Sequence, residues 1–169
     1  VSDRGKRRNR PGVLAHVNPV AEHERANGIP VSHGDGLFVE LAGMLPVVAA
    51  VVAGDAMVHK GLIKAHRLTE RLASRSGYGI GRARNAAALV RQGVESPMET
   101  RVRLLLVFAG FPEPSINLQL RHSQGHYRPD LCWPDLRLII EYDGQHHRSD
   151  LDQWDHDITR REWFQARGW

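Results

Sequence analysis

The sequence predicts a mixed α/β fold, an α/β (α+β) chain whose helical, basic N-terminal region precedes a helix–strand–strand–strand–helix core. Three observations carry this. Apolar residues recur at helical spacing from about Leu37 to Leu89. In SINLQLR, Ile116, Leu118 and Leu120 alternate with polar residues, as a half-buried strand requires. The run LRLII then leads into Glu141, Tyr142 and Asp143, where a buried strand should carry no charge.

In chain order, VSDRGKRRNRPG (1–12) reads as a flexible basic tail, and residues 13–93 as the helical region. LFVELAGM and PVVAAVVAGDAMVHK read as two helices, the second opened by Pro46 and closed by Gly61. KAHRLTERLAS reads as a third, with Leu68 and Leu72 on one face. GYGIGRARNAAALVRQ has no preceding strand and no GxGxxG spacing, so it reads as a loop entering a helix rather than a nucleotide cradle. Its Arg82, Arg84 and Arg91 are expected to be exposed and to face nucleic acid, and Asp55 reads as an ordinary helix residue.

Residues 94–169 change rhythm. Ser96-Pro97-Met98-Glu99 places Ser at the N-cap, Pro at the first helical position and Glu three residues after the cap, which is a capping box. The helix stops at Gly110. SINLQLR, YRPDLCW and LRLIIEYD read as strands. A helix from about Asp150 to Ala166 follows, capped by Ser149, carrying Leu151, Trp154 and Ile158, and ended by Gly168. Trp154 and Trp163 read as core residues, and Asp157 with Arg160 or Arg161 as a helix-surface ion pair.

Composition narrows the partners. Net charge is +4. Residues 1–93 hold 14 Lys+Arg against 7 Asp+Glu, and residues 94–169 hold 9 against 12. That asymmetry suggests a polyanion partner. Cys132 is the lone cysteine, which suits a reducing, cytoplasmic compartment and excludes a CxxC zinc site. MLPVVAAVVA is too short to span a bilayer, and the basic N-terminus leads into no apolar signal region.

The site chemistry follows from RPDLCWPDLRLIIEYDGQHH, residues 128–147. If Pro134-Asp135 is a two-residue hairpin loop, Asp130 opposes Ile139. Glu141 and Asp143 then share its face, with Glu141 the diagonal neighbour at roughly 7–8 Å between Cα atoms. The other face would send Leu138, Ile140 and Tyr142 into the core. Paired carboxylates repel, and a divalent cation removes the repulsion. Oxygen ligands favour Mg²⁺ or Mn²⁺, which activates water for phosphodiester cleavage.

PDLCWPDLRLIIEYDGQHH, with the ESPMETRVRLLL helix before it and the Trp154–Asp157–Arg161 helix ending in RGW after it, resembles the Vsr-like endonuclease domains of the PD-(D/E)xK nuclease superfamily. The resemblance covers about residues 95–169. It implies a restriction-endonuclease-like αβββα(β) core whose last strand would lie beyond Trp169, and a metal-dependent hydrolase acting on nucleic acid, double-stranded DNA first. Glu99, Asp130 and Glu141 would stand at the site, Asp130 and Glu141 holding Mg²⁺ (or Mn²⁺). The pattern's lysine falls at Asp143, and the only lysines are Lys6, Lys60 and Lys64. His146 and His147 are therefore the candidates to position or deprotonate water, with Asp143 a further ligand or their orienter and Arg161 a contact to substrate. The preceding helical region is similar to abortive-infection, antitoxin-like regions. The rival expectation is a catalytically inactive nuclease fold that binds DNA or a partner as a regulator.

Overall fold

A computed structural model describes residues 11–12, 23–77, 79–123, 125–143 and 151–169, with side chains in the last segment from Asp157 onward. The chain is a mixed α/β protein of two compact units, Val1–Gln92 and Gly93–Trp169. Among the described residues no helix is long and apolar enough to cross a membrane.

The first unit opens with an antiparallel hairpin, β1 (His23–Ala26) and β2 (Ile29–Ser32). Asn27 (φ 50°) and Gly28 (φ 79°) form its two-residue turn. Both φ values are positive, which is why Asn-Gly turns favour this tight connection. The helical reading of the region missed this hairpin. Four helices follow: α1 (Gly34–Met44), α2 (Val47–His59), α3 (Ala65–Ala73) and α4 (Ile80–Ala87). Pro46 caps α2 and Gly61, at φ 72°, follows its end. Leu68 and Leu72 are fully buried on one face of α3, beside a core that includes Phe38, Val51, Ile80 and Ala83.

Asp55 is not the ordinary helix residue expected. It is 1% exposed and accepts a 2.7 Å hydrogen bond from the Arg91 backbone N–H, tying α2 to the chain after α4. Asp35, also buried, pairs with Arg71 of α3 at 2.8 Å.

The second unit opens with α5 (Pro97–Phe108). Ser96 Oγ accepts from the Glu99 N–H at 3.2 Å, as the capping box requires. The reciprocal bond differs: the Glu99 carboxylate takes the N–H of Glu95, at 3.0 Å, rather than that of the cap residue. The long strand expected over 115–121 is broken at Asn117, whose φ is 48°. Two short pieces result. β3 (Ser115–Ile116) joins a three-stranded antiparallel sheet of order β3-β6-β7 with β6 (Leu131–Trp133) and β7 (Leu138–Ile140). β4 (Leu120–His122) pairs with β5 (Gly125–Tyr127) as a separate hairpin.

β6 is the middle strand, and all three of its residues are buried. Trp133 Nε1 donates to the Pro112 carbonyl at 2.9 Å. Burial also pushes the Cys132 thiol pKa up. Among the described residues β7 is an edge strand, and this corrects the expected inward face: Leu138 and Tyr142 are exposed and Ile140 is half-buried.

The last helix, α6 (Leu151–Gln165), anchors through Phe164, which is buried, while Ile158 is 41% exposed. Trp163 is half-buried and meets Tyr127 edge-on at 5.3 Å; Tyr127 in turn stacks on His122 at 4.2 Å. Gly168, at φ 77°, ends the helix, and the Trp169 N–H returns to the Phe164 carbonyl. Ser149 and Asp150, the side chains of Leu151 and Trp154, and the basic tail to Arg10 lie outside the described residues.

Candidate active site

The turn between β6 and β7 is longer than the two-residue loop expected. A 3₁₀ turn spans Pro134–Leu136, and Arg137 follows in the left-handed region at φ 49°. The register is Leu131 with Ile140, Cys132 with Ile139 and Trp133 with Leu138. Two added loop residues move the register by two and conserve the facing of side chains. Continued by one step, this register sets Asp130 opposite Glu141, a closer relation than the expected diagonal. Tyr142 continues the pairing in another form, its N–H donating to Asp130 Oδ2 at 2.9 Å.

An open cleft of about 680 Å³ lies here, with Asp130, Glu141, Asp143, Asp157, Arg160 and Arg161 among its lining residues. Asp157, Arg160 and Arg161 come from one face of α6, because residues three and four apart lie on one side of a helix. Arg160 does not serve the helix-surface pair expected. Its Nη2 donates to Glu141 and, at 2.9 Å, to the Arg128 carbonyl. Its guanidinium carbon lies 5.7 Å from the centre of the Phe164 ring. Arg161 Nη2 is 4.0 Å from Asp143 Oδ2, at the exposed rim.

Glu141 carries the perturbed carboxyl of this group. Burial pushes its pKa above the ordinary value of 4.5; Arg160 and Arg161 pull it down, and Asp130 and Asp157 push it up. Its side chain is 30% exposed, so solvent still screens these interactions.

Glu99 is not among the cleft's lining residues. It is buried, and its Oε2 accepts from the Glu95 N–H and from Asn117 Nδ2, the latter at 3.1 Å. Asn117 also donates from Nδ2 to the Gly93 carbonyl at 2.8 Å, and from its backbone N–H to the Asp130 carbonyl at 3.1 Å. Glu99 thus reaches Asp130 through Asn117, a link sequence spacing did not reveal. Asn suits this position because it tolerates positive φ better than most residues. Asn117→Ala is expected to lower unfolding stability by about 1–3 kcal/mol, through lost bonds to buried partners and left-handed strain. Urea titration measures the loss.

The arginines of the first unit have local tasks. Arg82 Nη1 donates to the Gly43 carbonyl at 3.1 Å, near the end of α1. Arg84 donates to the carbonyls of Leu72, Ala73 and Arg75 at the end of α3. Arg91 reaches Ala88 and Val90 carbonyls and is half-buried, not exposed as expected. A cation at a helix C-terminus satisfies orphan carbonyls and complements the dipole. His146 and His147 lie outside the described residues. Among the described residues no group of three His, Cys, Asp or Glu side chains is placed to hold a metal ion.

Comparison with known proteins adds relatives rather than a function. No family model matches the chain, and no solved structure is significantly similar. Two uncharacterized proteins of Mycobacterium tuberculosis, from strains CDC 1551 and H37Rv, are each 28% identical over 160 residues. The match covers 94% of this chain and 59% of each relative, so the chain spans about three-fifths of the length of the curated relatives it matches.

Proposed function

We propose that the chain is a metal-dependent endonuclease that hydrolyses phosphodiester bonds of double-stranded DNA. The observation that carries this reading is that Asp130 and Glu141, each one residue beyond the last pair of β6 and β7, line one open cleft. Among the described residues the cleft's lining holds four carboxylates against two guanidinium groups. That excess of two negative charges suits one divalent cation. The donor set fits Mg²⁺ or Mn²⁺, because Mg²⁺ characteristically uses one or two protein carboxylates and completes its shell with water and substrate phosphate. Asp130 and Glu141 would hold the ion, which supplies Lewis acidity and a water of lowered pKa.

The chain's own contributions follow from position. The Tyr142 N–H fixes the orientation of the Asp130 carboxylate. Arg160 and Arg161 offset the repulsion that an acidic cleft presents to a phosphodiester. His146 or His147 takes the place of the absent lysine in positioning or deprotonating water. The setting is cytoplasmic in this reading, in keeping with a single, buried, free cysteine.

One observation favours the rival reading, a nuclease fold without catalysis that binds DNA as a regulator: Arg160 already neutralises Glu141 in the free chain. Nicking of supercoiled plasmid in Mg²⁺ or Mn²⁺, compared with EDTA, separates the two. DNA binding that ignores EDTA, with no nicking under any metal, selects the regulator. Cleavage of RNA alone changes the substrate class.

The raised carboxyl of Glu141 adds a pH test. Cation binding needs its ionised form, so affinity is lost as pH falls through its pKa. The midpoint of Mn²⁺ affinity is expected above 4.5, Glu141's ordinary value. Glu141→Gln should abolish that limb, and a midpoint at or below 4.5 contradicts the role given to Glu141.

A further inference from the structure

We propose that Arg160 is an exchangeable partner of Glu141: it holds the carboxylate in the free chain, yields it to a divalent cation, and then takes a backbone phosphate of bound nucleic acid. This deepens the endonuclease reading and rests on it.

The geometry has three parts. Arg160 Nη2 is shared between Glu141 Oε1 and the Arg128 carbonyl, so one of its two partners does not depend on Glu141. The Phe164 ring beneath the guanidinium also stays in place if Glu141 is lost as a partner. Finally, the side chain is 25% exposed and lines the cleft, so the guanidinium needs no unfolding to meet a ligand there. Arg160 is thus held at the cleft wall by contacts that survive the exchange.

The chemistry requires exchange rather than titration. An arginine stays protonated at any pH the fold tolerates, so Arg160 cannot leave Glu141 by losing its proton. Where Glu141 is ionised, it leaves when another cation takes the carboxylate. Once freed, its planar fork matches a phosphate, where charge-assisted bonds are short and strong. Cation and nucleic acid would then bind cooperatively, each removing an obstacle to the other. Arg161, 67% exposed and 4.0 Å from Asp143, lies at the cleft's rim and serves as the comparison.

The test uses the full chain, with Mn²⁺ alone as the first probe. Calorimetric titration is expected to show Arg160→Gln binding Mn²⁺ about fivefold more tightly than wild type, the effect of removing a competing ion pair of about 1 kcal/mol. Arg161→Gln, which removes a rim charge but no partner of Glu141, should gain less than Arg160→Gln, and an equal gain overturns the exchange because loss of charge alone would explain it. Equal or weaker binding by Arg160→Gln overturns the exchange. If that variant fails to fold, Arg160→Lys replaces it; its mobile ammonium lacks the anchored fork, so tighter Mn²⁺ binding is again expected and unchanged binding again overturns the proposal.

The second readout is the salt dependence of affinity for a short DNA duplex. In Ca²⁺ the slope of log affinity against log salt should fall by about one in Arg160→Gln, the loss of one phosphate contact. In EDTA the wild-type and variant slopes should coincide, because Arg160 is then held on Glu141. A difference of equal size in both conditions overturns the proposal, since Arg160 would touch phosphate without exchange. Failure of all these proteins to bind Mn²⁺ overturns both the exchange and the metal-dependent reading. Exchange observed in a protein that never nicks DNA leaves this inference standing and removes the nuclease.

Discussion

Asp130→Asn and Glu141→Gln are each expected to reduce Mg²⁺-dependent nicking of supercoiled plasmid to the level seen without protein. Loss of an outer-shell partner of a metal ligand already costs about 10–100-fold. Removing the charge of a ligand itself should cost more, because it removes both attraction for the cation and a bonding oxygen of full charge. Both substitutions should spare the fold. Asn at 130 retains an oxygen able to accept from the Tyr142 N–H, and Gln at 141 retains one able to accept from Arg160. Each variant should therefore keep its circular dichroism spectrum and unfold within about 1 kcal/mol of wild type, the usual scale for a partly exposed ion pair. Undiminished nicking by either variant would dismiss the carboxylate pair as the reaction centre.

Phe38→Ala is expected to produce the largest loss of stability, about 3–5 kcal/mol by urea unfolding. Phe38 is fully buried in α1, and its ring lies against Gly54 of α2. A Cβ at Gly54 would stand 2.7 Å from Phe38 Cε2 and 2.5 Å from Val90 Cγ2, distances at which packed atoms must shift. Gly54→Ala alone should therefore be destabilising. Crowding of about 1–3 kcal/mol outweighs the roughly 1 kcal/mol that alanine contributes in a helix interior. The two changes should also couple. With the Phe38 ring gone, the added methyl keeps its clash with Val90 but loses those with the ring, so the double variant should lose less than the two single losses together. Strict additivity would show that the ring and Gly54 do not share one packing constraint.

Local signals made much of the fold legible. The Ser96–Glu99 capping box, Pro46 before α2 and Gly168 after α6 mark helix ends by backbone chemistry that acts within a few residues. Leu68 and Leu72 revealed a buried face by spacing alone. The Asn27-Gly28 turn carried an equally local signal, and its hairpin was missed because the surrounding region was read as helical. Other features depend on distant partners. Nothing near Asp55 announces that it receives the N–H of Arg91, 36 positions away. The left-handed Arg137 runs against residue preference, and the break at Asn117 uses a left-handed turn that asparagine tolerates but does not announce. Tertiary bonds hold Asn117 in place: its amide joins Gly93 to Glu99.

The candidate site divides in the same way. Asp130 and Glu141 were found by alternation along a strand, although the loop assumed between them was two residues too short. Asp157 was paired with Arg160 or Arg161 because helical neighbours are what sequence spacing displays. The actual partners of Arg160, Glu141 and Arg128, lie 19 and 32 positions away.

That misjudged loop is also instructive about descent. The turn closing β6 onto β7 can lose or gain two residues and still return Glu141 to the side of Asp130; a change of one carries Glu141 to the opposite side. Length variation at Pro134–Arg137 should therefore come in pairs in any lineage that keeps the two acids together. Where a lineage shows an odd insertion or deletion there, the second acid should have moved along its strand, or the selection that held the pair should have lapsed.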